Sequence, residues 1–237
     1  MTAPTTALDR KIVDIVARHP REVAIAKFAL SLAASVISPT WRLAAWLKPR
    51  DPERRTYVIV VLNVVYLVIA VATITTLIVR FDNNARPLRA GAWSPLWIWG
   101  WFLWSRCAEV FIAFYRDAVD QLKDKPAGSD LTAAWRVRLA LNSYVELIID
   151  YAMLYALLPF SVWQSSPTTI TDFLWLSAST ITTSGSAGYV LTGRAPQLLS
   201  TFEIVGGIIL LVVCFALYSG GRADERRAAP LRQPPAA

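Results

Sequence analysis

Four long apolar stretches, each bounded by charge, set the pattern of this chain. Tyr57–Val79 runs 23 residues without a charge and is rich in Val and Ile. Trp93–Tyr115 follows after a short polar connector and opens on Trp93, Trp97, Trp99, Trp101 and Trp104. A tryptophan cluster of this kind marks a membrane–water interface. Arg138–Phe160 is the third stretch and Leu199–Ser219 the fourth. Each reaches the ~20 residues that a helix needs to cross a bilayer. Glu22–Ile37 is apolar as well, but it is shorter, carries Lys27 and is soon followed by Pro39. It predicts a helix lying in the cytoplasmic interface, the alternative being a fifth span that would flip the N-terminus. Trp41, Arg42, Trp46 and Lys48 then suit headgroup depth.

Between the third and fourth stretches the pattern breaks. Asp172–Val190 begins apolar and helical, with Pro167 ahead of it and Thr171 or Asp172 as the expected N-cap. It then becomes a run of small hydroxyl residues and glycines. Irregular backbone is tolerated at membrane depth only when buried in protein or lining a watery cavity. The expectation is therefore a re-entrant loop: a short helix, then an extended segment whose carbonyls face permeating ions.

Composition agrees with a multi-pass membrane class, at 55% hydrophobic and 17% charged. The formal net charge is +7, from 24 Lys+Arg against 17 Asp+Glu. The basic residues lie beside the spans, which reads as cytoplasmic-loop charge and not as a nucleic-acid footprint. They are dense before the first span (Arg42, Lys48, Arg50, Arg54, Arg55), in the middle loop (Arg116, Lys123, Lys125, Arg136, Arg138) and in the tail. The first connector holds Arg80, Arg86 and Arg89, and the segment around the re-entrant loop only Arg194. Both termini are thus expected in the cytoplasm, with the loop entering from outside a plasma (inner) membrane. No cleaved signal peptide is expected. Two cysteines and one histidine give neither a disulfide framework nor a zinc site.

Thr180-Ile181-Thr182-Thr183-Ser184-Gly185-Ser186-Ala187-Gly188 resembles the filter of the potassium-channel superfamily, where T-x-T-T leads into a T-V-G-Y-G-like run. In that register Thr183 takes the threonine position, Ser184 the valine, Gly185 the first glycine, Ser186 the tyrosine and Ala187 the second glycine. Gly188 replaces the aspartate that follows. Downstream, Phe202-Glu203-Ile204-Val205-Gly206-Gly207 resembles the start of the inner, pore-lining helix, with Gly207 at the hinge glycine. The likeness covers roughly Tyr144 to Ser219. It implies a filter over Thr182–Gly188, with K+ or Na+ held by Thr183, Ser184 and Gly185, and a gating hinge at Gly206 and Gly207. One loop per chain implies a homotetramer. Ala187 in place of glycine predicts a different course for the outer half of the filter, because positive φ costs an L-residue energy. Weaker discrimination between potassium and sodium follows. Tyr189 could brace the filter in a shifted register.

A second constellation is charged. Arg106 and Glu109 fall in the second span, and Glu146 and Asp150 in the third, one helical turn apart. At ~1.5 Å per residue the depths of Arg106 and Asp150 differ by about 3 Å, so a cross-helix pair of Arg106 with Glu146 or Asp150 is expected. Regularly spaced arginines, which a voltage sensor needs, are absent from every span.

The sequence therefore predicts an all-α membrane protein of four spans, with a re-entrant helix and filter between the last two. Its expected parts are a cytoplasmic N-terminal segment (1–56), the first two spans and their loop (57–135), a pore domain (136–219) and a disordered tail (220–237). The expected function is a tetrameric monovalent cation channel with altered K+ selectivity, without chemical step or cofactor, its partners being its own copies and the lipid bilayer. A non-conducting membrane scaffold or accessory subunit is the alternative.

Overall fold

The computed structural model describes Ser38, Thr40, Trp46, Leu47 and residues 51–82, 95–122 and 131–214. The expected interfacial helix at 22–37 and the tail at 220–237 lie outside those residues. What is described is mostly helical, in five α-helices and a two-stranded ribbon: α1 (Pro52–Phe81), α2 (Leu96–Leu122), α3 (Ala133–Ala156), β1 (Trp163–Ser165), α4 (Ile170–Ile181), β2 (Val190–Leu191) and α5 (Arg194–Ile208). A turn of 3-10 helix (Phe160–Val162) precedes β1, and α5 continues as π-helix over Ile209–Cys214.

The helices outrun the apolar stretches because local caps extend them. Asp51 accepts from the Arg54 N–H and starts α1 five residues before the expected span. Thr132 does the same for α3 through the Trp135 N–H, so Trp135 and Arg136 are helical and not part of a loop. The end of α2 also runs past its apolar stretch, through Arg116–Leu122, which the hydropathy pattern assigns to a loop; no cap accounts for this among the described residues.

Among the described residues, one helix is long and apolar enough to cross a membrane: Glu53–Phe81, with mean hydropathy 2.7 and little of its surface buried. Its outward residues include Val61, Val64, Val65, Val68 and Ile69. The lengths of α2 and α3 are 27 and 24 residues, but each carries charge along its middle.

The hub is α3, which packs against α1, α2, α4 and α5. Its core residues Leu147, Ala152, Met153 and Tyr155 are buried among Leu103, Val110, Leu176 and Leu210 from the surrounding helices. Polar clasps join the layers: Asn63 of α1 donates to the Ser143 hydroxyl at 2.9 Å and accepts from Asn142 at 3.2 Å. The N-terminal segment reaches the bundle too. Ser38 and Thr40 are buried against Ser105 of α2, with Ser38 Oγ donating to the Ser105 carbonyl at 2.9 Å and the Thr40 N–H to Ser105 Oγ at 3.2 Å.

Candidate functional site

The short helix α4 begins two or three residues earlier than the sequence suggests. Its N-cap is Thr169, not Thr171 or Asp172. Thr169 Oγ1 accepts from the Asp172 N–H at 3.0 Å while the Asp172 carboxylate accepts from the Thr169 N–H at 3.0 Å, a reciprocal capping box. Burial raises the Asp172 pKa, but bonds from Thr168 and Thr169 outweigh it and hold the carboxyl below its ordinary value. Tyr189, on the far side of the loop, sits beside Asp172; burial and that negative charge push its phenol up.

After Ile181 the backbone leaves the helix through a Schellman closure. The Thr183 N–H bonds to the Thr180 carbonyl at 2.9 Å and the Ser184 N–H to the Ser179 carbonyl at 2.9 Å. Thr183 occupies the left-handed position with φ 58. A β-branched residue there is a real outlier and costs about 1–3 kcal/mol. Thr182 Oγ1 bonds back to the Ala178 carbonyl at 2.7 Å and lies 2.9 Å from Ser184 Oγ.

Positive φ recurs at alternate positions, 183, 185 and 187, with values of 58, 118 and 52. The outer half then folds into a tight turn. The Tyr189 N–H bonds to the Ser186 carbonyl at 2.9 Å across Ala187 and Gly188, both at positive φ. This is the hairpin-type turn that favours φ > 0 at both central residues. Thr182–Ser186 and Gly188 are exposed on the single chain. Among the described hydrogen bonds, none ends on the carbonyls of Thr183, Ser184 or Gly185.

Two devices hold this loop between α3 and α5. The antiparallel ribbon pairs Trp163 with Leu191, and the Thr192 N–H bonds to the Val162 carbonyl at 2.7 Å. Trp163 stacks edge-on against both Tyr155 and Phe173. Deeper, Glu203 of α5 is fully buried. Its Oε2 accepts from the Tyr155 hydroxyl of α3 at 2.6 Å, and its Oε1 lies 2.5 Å from Ser177 Oγ of α4. Ser177 Oγ also lies 2.8 Å from the Ile148 carbonyl. One carboxyl group therefore knots three helices. The F-E-I-V-G-G run contains Glu203, but nothing local signals its partners.

Gly207 lies on the face of α5 that meets the end of α4, while Gly206 faces α3. A Cβ on Gly207 would stand 2.6 Å from Ile181 Cγ1 and 2.9 Å from the Ile181 carbonyl oxygen, so close packing is the reason for glycine there. Gly206 has only ordinary contact with Leu147. The π-helix starts two residues later, a backbone irregularity that clusters at functional sites.

The charged constellation sits apart from the loop, between α2 and α3. Arg106 makes a bidentate pair with Glu146, Nε to Oε1 at 2.6 Å and Nη2 to Oε2 at 3.1 Å. Its Nη1 stands 3.1 Å from Glu109 Oε2 without hydrogen-bond alignment. The guanidinium also lies 4.0 Å from the Tyr66 ring centroid. Asp150 is buried, and its Oδ2 has no hydrogen-bond partner among the described residues. So Arg106 joins Glu146 and Glu109, and Asp150 stays outside the pair. A cavity of about 390 Å3 opens beside them, lined by Arg55, Asn63, Glu109, Arg116, Arg136 and Ser143. A polar cavity of that kind is where membrane helices tolerate charge.

No His, Cys, Asp or Glu cluster among the described residues is arranged to hold a metal ion. No family model, curated protein or solved structure matches this chain.

Proposed function

We propose that this chain is one subunit of a tetrameric monovalent cation channel, with four membrane-crossing helices (α1, α2, α3 and α5) and α4 as a re-entrant pore helix. Both termini then face the cytoplasm of a plasma (inner) membrane. The observation that carries the reading is the loop after α4: exposed irregular backbone, unclaimed carbonyls at Thr183, Ser184 and Gly185, and anchorage by the ribbon and by Glu203. In lipid such carbonyls would go unsatisfied; around a fourfold axis they replace the water shell of K+ or Na+. The apolar stripe Leu198, Phe202, Val205 and Ile208 on α5 is bare on one chain, as is Trp175 of α4, 63% exposed. Neighbouring copies would cover these side chains.

The turn at Ser186–Tyr189 occupies the Ser186 carbonyl and shortens the ion-facing segment. Fewer dehydrating layers mean weaker choice between potassium and sodium. The same turn favours the second reading, a pore-like fold that conducts nothing. Purified protein in planar bilayers under mixed sodium and potassium gradients separates the two. The channel reading expects cation current with a reversal potential between the two Nernst values. A silent bilayer, or a particle mass of one or two chains in detergent, overturns it.

A further inference from the structure

Asp82 ends α1, far in sequence from the stretch that resembles a pore, yet its carboxylate reaches α4. Oδ1 accepts from the Ile170 N–H at 2.5 Å. Oδ2 accepts from the Thr171 N–H at 3.1 Å and from the Thr171 hydroxyl at 2.5 Å. The first amides of a helix have no partner within it. The capping box of Thr169 and Asp172 serves only the third, at Asp172, and the fourth, at Phe173, bonds to the Thr169 carbonyl. Ile170 and Thr171 are the first two, and Asp82 takes both. Its own backbone is fixed as the C-cap of α1, with its N–H on the Ile78 carbonyl. The carboxylate also faces the positive end of the α4 dipole.

We infer that Asp82 is a positioning residue for the ion-facing loop: it ties the outer end of α1 to the entry end of α4 and so sets where Thr182–Gly188 stands. The inference rests on the channel reading above. The helix between the clamp and the loop is 12 residues, a rigid rod of about 18 Å. Its far end passes straight into the Schellman closure at Thr183 and Ser184, so a shift at Ile170 is carried to the loop. Elsewhere α4 is held along its sides, by Ser177 on Glu203 and the Ile148 carbonyl, by Phe173 against Trp163 and by Ile181 under Gly207, whereas Asp82 holds its entry end. On this account α1 supports the pore helix as well as crossing the membrane.

The test uses the full-length protein in lipid nanodiscs and in planar bilayers, comparing wild type with Asp82→Ala, Asp82→Asn and Asp82→Glu. Hydrogen–deuterium exchange is the first readout, because it needs no current. In Asp82→Ala the amides of Ile170 and Thr171 should exchange about tenfold faster, and those of Thr183 and Ser184 should accelerate with them. Central α3 amides should not change. Asp82→Asn keeps one acceptor oxygen and should fall between; it also serves if the alanine variant does not fold. Asp82→Glu should restore protection in part. The second readout is the reversal potential under mixed gradients, which should shift in Asp82→Ala with the oligomeric mass unchanged. Faster exchange confined to residues 170 and 171, with Thr183, Ser184 and the reversal potential unmoved, reduces Asp82 to a local cap and overturns the proposal. A wild type that passes no current refutes the channel reading instead, while the exchange data still decide whether Asp82 controls the loop.

Discussion

Gly207→Ala is the sharpest probe of how α5 meets the loop helix. The added Cβ would stand 2.6 Å from Ile181 Cγ1 and 2.9 Å from the Ile181 carbonyl oxygen. The side chain can turn away at some expense, but the carbonyl belongs to the last turn of α4 and cannot. Overpacking of this kind costs about 1–3 kcal/mol. Replacing glycine within a helix returns about 0.5–1 kcal/mol, so a net loss of up to about 2.5 kcal/mol is expected. Thermal unfolding in detergent, followed by tryptophan fluorescence, should show a midpoint lower by about 2–6 °C. Ile181→Ala, combined with Gly207→Ala, should recover part of the coupling and divide the side-chain clash from the carbonyl clash. If Gly207→Ala melts at or above wild type, the packing argument is wrong. Glycine would then be present for flexibility, and the variant should alter gating without loss of stability.

Three further outcomes are expected. Arg106→Ala leaves Glu146 and Glu109 buried without their cation and should cost about 3–5 kcal/mol, whereas Arg106→Met with Glu146→Leu should melt closer to wild type. Equal midpoints would show that the pair is immaterial. Ala187→Gly relieves a left-handed alanine at φ 52, so it should leave stability level or raised by up to about 1 kcal/mol, against the usual loss, and move the reversal potential toward potassium; a clear drop in midpoint counts against the strained turn. Ser105 lies nine residues into α2, about 14 Å along its axis. Ser38→Cys should accordingly resist impermeant maleimides from both sides of proteoliposomes, and rapid labelling from either side would remove Ser38 from the bundle interior.

The periodicity and length of the apolar stretches were enough to reveal α1 as a membrane-length helix, to indicate helix within the other three and to single out the loop after Ile181. These signals are local: uninterrupted Val and Ile over Tyr57–Val79, or a run of small hydroxyl residues where no apolar pattern continues. A cross-helix pair at Arg106 was also within reach, since helical rise brings it close in depth to the turn carrying Glu146 and Asp150, but that Glu146 and not Asp150 is the partner was decided by packing. Helix ends were read less well, because hydropathy marks the apolar part while caps such as Asp51, Thr132 and Thr169 decide where hydrogen bonding starts. Tertiary structure decided the rest. Asp82 finds the α4 amides 88 and 89 residues away, Glu203 gathers Tyr155 and Ser177 from two other helices, and Gly207 is required by the shape of Ile181. No window of sequence contains both halves of these contacts. Each arises from satisfying a buried polar group or filling a fixed volume once the helices have been brought together, and that is a property of the packed bundle.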